Sequence, residues 1–277
     1  MHISIFNKFG AKNSVPVFKA FTQGLSQLGI SYSNHNMDAD IAVIWSVVWA
    51  GRMRENQAVW QHYRSQNRPV IVLEVGMLQR GHTWKMGING TGITNYPAAE
   101  FQKNRASLLG IHLQPWHDSG SNIIIALQRP DSEQWSTQPP TDRWLTDTIN
   151  VLRQHSQREI VIRPHPRSRI PTVNGVIIQS PGLLKGTYDD FDFIPCINDA
   201  WAVINWNSGL GSQSVISGIP AFVGSSSLAA PVANLDLTQI ENPVTPDRTQ
   251  WLEQLVHTEW TIPEIQTGYP LKRLLGM

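Results

Sequence analysis

A chain of 277 residues with 41% hydrophobic and only 16% charged residues can form one large or two modest domains with sizeable apolar cores. No apolar run reaches the roughly 18–20 residues that span a bilayer. The opening MHISIFNKFG lacks the long apolar core of a signal peptide, and the single cysteine, Cys196, excludes an internal disulfide and a Cys-rich metal site, so a cytoplasmic location is expected.

In chain order, ISIF (3–6) reads as a first buried strand. Phe18, Phe21, Leu25 and Leu28 then share one side of a helix that Gly29 ends. IAVIWS (41–46) is a second strand, 53–63 a helix, and PVIVLEVG (69–76) a third strand rich in β-branched residues. Strands alternating with helices imply a parallel sheet covered on both faces. The Gly/Asn-rich GHTWKMGINGTGITNYP (81–97) reads as a long loop, a place where function often sits. The pattern restarts at Asn122 with IIIAL (123–127), a helix over 144–155, EIVIRPHP (159–166), GVIIQ (175–179), AVIN (202–205) and PAFVG (220–224). The boundary is expected near residues 115–121, dividing the chain into 1–118 and 119–277. The tail from Pro246 reads as helical and is expected to pack back toward the first domain.

The chain is organised around AVINWNSGLGSQSVISGIPA (202–221), a strand feeding a helix through small residues. The first amides of a helix lack intrahelical partners, and with the helix dipole they attract anions, phosphate above all. Ser208, Gly209, Gly211 and Ser212 are small enough for a diphosphate to approach the backbone; the alternative is a Gly/Ser loop that binds nothing. Other chemistries fit less well. Gly211-Ser212-Gln213-Ser214-Val215 lacks the closing glycine of a nucleophile elbow. There is no Walker loop, and no G-x-G-x-x-G follows the first strand. Asp38-Ala-Asp40 and Asp190-Phe-Asp192 precede apolar runs and read as turn or helix-start carboxylates, so metal-independent chemistry is expected.

LQRP (127–130), IRPHPR (162–167), NSGLGSQSVISGIPAFV (207–223) and RTQWLEQLVHTEWTIPEIQTGYPLKRLL (248–275) occur in an order that resembles the second domain of GT-B glycosyltransferases. The similarity is to the capsule-polysaccharide type and to the compact phage enzymes that glycosylate hydroxymethylated DNA bases. It covers most of 122–275; the first domain matches only loosely, in VIVLEVG and the loop after it. The resemblance implies two Rossmann-like α/β domains facing across a cleft, with a nucleotide sugar, expected to be a UDP-sugar, as donor substrate and no tightly bound cofactor. The implied donor-site residues are Asn207, Ser208, Gly209, Gly211 and Ser212 at the helix start, His165 of the His-Pro motif, and Arg163 and Arg129. The alternatives are a capping or packing role for His165, an ion pair with Asp131 or Glu133 for Arg129, and plain surface charge for Arg167 and Arg169.

An acceptor hydroxyl must lose a proton, which calls for a carboxylate or histidine in the first domain. Glu74 is the first choice, because a carboxylate inside VIVLEVG is costly unless it lines a cleft or is paired; a structural carboxylate is the alternative, and Asp118 and His82 are second choices. Residues 1–125 carry a balance of +5 and residues 126–277 one of −4. The basic half also holds Trp45, Trp49, Trp60, Trp84 and Trp116. Read together, these favour double-stranded DNA carrying 5-hydroxymethylcytosine as acceptor, with Arg52, Arg54, Arg64, Arg68, Arg80 and Lys85 as phosphate contacts and Trp84 among the rings that receive a flipped base. Each charge is alternatively a solvated one, and each Trp a core residue. A polysaccharide acceptor, a nucleotide-sugar epimerase or hydrolase, and a non-enzymatic nucleotide-sugar or DNA-binding module are the competing readings.

Overall fold

The computed structural model describes residues 1–97, 102–168, 173 and 175–277. Among these, the elements in chain order are β1 (His2–Ile5), α1 (Val15–Gln27), β2 (Ser31–Asn34), β3 (Ile41–Trp45), α2 (Asn56–Ser65), β4 (Val70–Val75), β5 (Thr83–Ile88), α3 (Arg105–Leu108), β6 (Asn122–Ala126), α4 (Thr141–His155), β7 (Glu159–Arg163), β8 (Ile177–Ile178), α5 (Phe193–Ile197), β9 (Ala200–Ile204), α6 (Gly209–Ile216), β10 (Ala221–Phe222), α7 (Thr249–Leu255), β11 (Glu259–Thr261), α8 (Ile262–Gln266) and α9 (Tyr269–Leu274). They form two compact units. The first comprises Met1–Gln102, Asp131–Gln134 and Gln254–Met277, and the second Lys103–Pro130 and Trp135–Glu253. The boundary expected near 115–121 therefore lies inside the second unit, and two segments from the later half of the chain belong to the first. No helix among the described residues is long and apolar enough to cross a membrane.

The first unit has a six-stranded sheet of order β11-β5-β4-β3-β1-β2. β2, β1, β3 and β4 are parallel, whereas β5 runs antiparallel to β4 and β11 antiparallel to β5. The stretch read as a loop over 81–97 thus contains a strand, and the tail read as helical contributes another. TWKMGI is inconspicuous because its apolar face is only Trp84, Met86 and Ile88, interleaved with Lys85 and Gly87. Alternation assigns the faces. Ile3, Ile5, Val43, Trp45, Ile71, Leu73, Trp84, Met86 and Trp260 pack with residues of α1, α8 and α9 on one side. Ala42, Ile44, Val70 and Val72 pack with Val59, Trp60 and Tyr63 of α2 on the other. β2, a polar edge strand (SYSN), was not read from the sequence; its residues are exposed or half-buried.

The second unit has a five-stranded, wholly parallel sheet of order β10-β9-β6-β7-β8. Its central strands are apolar on both faces, as a doubly covered parallel sheet requires. Ile123, Ile125, Ile160, Ile162 and Ile204 meet Leu145 and Leu152 of α4, while Ile124, Val161 and Val203 meet Phe193 and Ile197 of α5 and Leu210 of α6.

Candidate functional site

The carboxyl end of β9 runs into α6. Asn205 ends the strand pairing, donating its amide to Phe222 O at 3.0 Å. Ser208 is the N-cap of α6 in extended conformation (φ −72°, ψ 158°) but makes no side-chain capping bond. Four polar atoms here have no hydrogen-bond partner: Asn205 Oδ1 and Nδ2, Ser208 Oγ and Ser212 Oγ. Asn205 is 2% exposed and Ser212 0%. A buried unpaired polar group costs about 1–3 kcal/mol, so a cluster of them at one helix start calls for a polar partner, whether an ordered water or a bound group. Gly211 does not line that opening. A Cβ on it would lie 2.8 Å from Asn205 Nδ2 and 2.9 Å from Val223 Cγ1, so its bare Cα lets the Asn205 amide pack under the first turn. Gly209 is half-buried at the first helical position. Asn207 is clamped: its amide donates to Gln128 Oε1 (3.0 Å), its Oδ1 accepts from Gln128 Nε2 (2.9 Å), and its Nδ2 donates to Ser226 Oγ (3.0 Å). Neither Gln128 nor Asn205 was singled out from the sequence. The available signal for Asn205 was a polar residue closing the apolar AVIN run.

Of the residues expected near this niche, Arg163 is committed elsewhere. Arg163, at the end of β7, is 3% exposed. Its guanidinium pairs with Asp192 Oδ1 and donates to Cys196 Sγ at 3.2 Å, so it is a buried structural cation and not an open phosphate ligand. Burial raises the Asp192 carboxyl, but the bonds from Arg163 and from the Gly182 amide outweigh it and hold the group below its ordinary value. Desolvation raises the Cys196 thiol above its ordinary value. The His165 ring is half-buried, and its Nδ1 accepts the Arg167 amide at 3.1 Å. In the neutral ring the hydrogen is therefore on Nε2, which is a donor. Arg167 is exposed and pairs with Asp189 at 2.8 Å. Arg129 is half-buried in the turn after β6, and Arg169 lies outside the described residues.

Glu74 stands on β4, on the sheet face shared with Val70 and Val72. Ser46 Oγ donates to its Oε1 at 3.0 Å and Thr91 Oγ1 to its Oε2 at 3.4 Å, and Gln134 Nε2 donates to Thr91 Oγ1 at 2.7 Å. Ser46 is 3% exposed and holds a left-handed backbone (φ 61°). That conformation is rare without glycine and persists only where surrounding contacts enforce it. Across the sheet Glu74 is in register with Lys85, and Lys85 with Glu259. Residues in register share a face, so three charged side chains form one row. Glu259, missed in the sequence, is 0% exposed. It accepts the amides of Met77 (2.8 Å) and Leu78 (3.0 Å) and the hydroxyl of Thr83 (2.8 Å). The reasoning that selected Glu74, a carboxylate inside an apolar run, applies equally to it in HTEWTI. Burial, then the charges of Glu259 and Glu74, push the Tyr96 phenol well above its ordinary value, and its buried hydroxyl has no hydrogen-bond partner among the described residues. The second choices for a base are elsewhere. His82 is exposed in the turn before β5, and Asp118, expected from the first domain, is exposed in the second unit.

The expected nucleic-acid contacts divide between core and surface. Trp84 is 4% exposed and packs on Trp45, with ring centroids 5.9 Å apart; it is core because β5 points it at α1 and α9. Trp60 is buried against Trp49. Trp49 donates to Glu133 at 3.1 Å, and Trp116 to Pro246 O at 3.0 Å under the Arg248 guanidinium. Arg68 lies on Tyr63 and donates to Ala39 O at 2.6 Å. Lys85 is half-buried in the charged row, and Arg52, Arg54 and Arg80 are exposed. Of the two Asp-x-Asp pairs, Asp40 accepts the His2 amide at 2.7 Å and Asp192 holds Arg163.

No family model and no curated protein sequence matches the chain. Among the solved structures similar to it over nearly its whole length are two from Thermosulfurimonas dismutans. KpsC, beta Kdo 2,4 transferase, has a TM-score of 0.52 at 11% identity, covering 96% of this chain and 98% of that one. KpsC, beta Kdo 2,7 transferase, has a TM-score of 0.50 at 13% identity, covering 98% and 99%. At these identities the likeness establishes the fold alone: a mixed α/β chain of the GT-B type, with a parallel-sheet region in each unit and two antiparallel pairings at one edge of the first.

Proposed function

We propose that the chain is a glycosyltransferase that binds the phosphates of a nucleotide-sugar donor at the start of α6 and delivers the sugar to a hydroxyl of a saccharide acceptor. The observation that carries this reading is the set of buried, unpartnered polar groups of Asn205, Ser208 and Ser212 around the first turn of α6. Negative charge grows on the leaving phosphate as the glycosidic bond breaks, and fixed donors with no competing partner stabilise it without reorganising. Glu74, oriented by two hydroxyls, is the base for the acceptor proton. The fold shared with two sugar transferases supports the reaction class. Both Asp-x-Asp pairs have an aspartate engaged in protein contacts, which supports transfer without a divalent cation, expected to persist in EDTA.

A saccharide acceptor is favoured over hydroxymethylated DNA because the five indoles of the basic half are engaged in packing and Arg68 serves the fold. The test is calorimetry with UDP-, GDP- and CMP-linked sugars, then mass analysis of capsule-type oligosaccharides and of plain and hydroxymethylated DNA after incubation with each donor that binds. Sugar added to oligosaccharide is the expected result. Salt-sensitive transfer to modified DNA would restore the DNA acceptor. Donor consumption without acceptor would indicate an epimerase or hydrolase, and binding without turnover a sensor. If no nucleotide binds, the donor site is misplaced.

A further inference from the structure

The four residues Asp131–Gln134 belong to the first unit although the chain on either side of them belongs to the second. They are tied to the loop after β3. Asp131 O accepts the Trp49 amide at 2.8 Å, the Glu133 amide donates to Val47 O at 2.8 Å, Ser132 bridges Val48, and Glu133 Oε2 accepts the Trp49 indole. That loop begins at Ser46, the donor to Glu74 Oε1. The fourth residue, Gln134, holds Thr91, the donor to Glu74 Oε2. One short segment thus holds Thr91 directly and, next to Ser46, the residues Val47 to Trp49. Three residues before it stands Gln128, bonded twice to Asn207, the neighbour of the α6 N-cap.

We propose that Gln134 is a positioning residue for Glu74, and that the stretch 128–134 is a strap through which occupancy of the α6 start is felt at the Glu74 carboxylate. The proposal rests on reading the α6 start as the donor site. Its chemistry lies in the direction of one hydrogen bond. A threonine has a single O–H. Because the Gln134 amide donates to Thr91 Oγ1, that hydrogen is left to point at Glu74. A carboxylate at position 134 would take it instead and turn Thr91 away from Glu74, with almost no change of shape. At the other end of the strap, a phosphate drawn to the amides beside Asn207 pulls on a residue that Gln128 grips with two bonds.

The test uses the full chain labelled with ¹⁵N-tryptophan, titrated with UDP or CMP, whichever binds by calorimetry. The Trp49 indole N–H, hydrogen-bonded to the strap at Glu133 and assigned from Trp49→Phe, is expected to shift as the nucleotide binds. Nucleotide binding with an unmoved Trp49 signal overturns the strap and leaves the donor site standing; absence of nucleotide binding overturns both. In transfer assays Gln134→Glu is expected to lower kcat at least ten-fold with donor KM within two-fold, and Gln134→Ala to lower it less. Thr91→Val should reproduce the loss and Thr91→Ser should restore activity, which keeps the test open if a Gln134 variant folds poorly. An unchanged kcat in Gln134→Glu and Thr91→Val, or a matching rise in KM, overturns the positioning role.

Discussion

The two units carry polar centres of opposite character. Glu74 and Glu259 are themselves matched: hydroxyls meet both carboxylates and two amides meet Glu259, although the nearby Tyr96 hydroxyl has no partner among the described residues. At the start of α6, Asn205, Ser208 and Ser212 are left without partners under comparable burial. The first arrangement holds a carboxylate still, and the second leaves polar groups unpaired. The same contrast appears between Arg163 and Asn205. Arg163 had the right place in the motif but is saturated by Asp192, while Asn205 had no motif behind it and is unpaired.

The largest effect expected from breaking the matched centre is Glu259→Ala. It strips two buried amides and a hydroxyl of their acceptor and should destabilise the protein by about 3 kcal/mol or more, read as a lowered urea midpoint at unchanged m-value. Gly211→Ala comes next. Its methyl would press on Asn205 and Val223, costing about 1–3 kcal/mol, and nucleotide affinity should fall with it because the Asn205 amide is displaced. Ser212→Ala tests the unmatched centre most sharply. Removing an unpaired buried hydroxyl should leave the urea midpoint unchanged or raise it, while nucleotide affinity by calorimetry falls about ten-fold, or roughly 1.4 kcal/mol. If the midpoint drops instead, Ser212 is a structural residue and the contrast between the centres fails. Asp192→Asn should cost stability at neutral pH, because it leaves the buried Arg163 guanidinium without its carboxylate, and the difference from the wild type should vanish in acid. The native carboxyl titrates below its unfolded value of about 3.9, so its contribution is complete above that pH and is lost as pH falls through the native value. The variant should therefore lose less stability than the wild type as pH falls below the unfolded carboxylate value, as followed by thermal melts.

Much of the fold was legible because local pattern is enough for it. ISIF, IAVIWS, VIVLEVG, IIIAL, EIVIR and AVIN are apolar, β-branched runs of strand length, and each is a central parallel strand. The Gly/Ser turn before α6 was equally plain, since small residues after a buried strand have few other uses. β5 was hidden by its glycine and lysine, and β11 by its length of three residues. The candidate site was legible in part. Glu74 and Ser208 stood out by type and position, whereas Ser46, Gln134 and Glu259 did not. Their relevance comes from partners 28 to 182 residues away in the chain.

From its sequence alone the chain was bound to form two successive sets of buried strands, with an anion-seeking helix start in the second, because periodicity and turn chemistry act over a few residues. Only the tertiary structure decided that Trp84 is core, that Arg163 is spent on Asp192, and that the tail and residues 131–134 complete the first unit. Pairing across long sequence separations is set by which surfaces and polar groups remain unsatisfied after local structure forms, and no local pattern encodes that remainder.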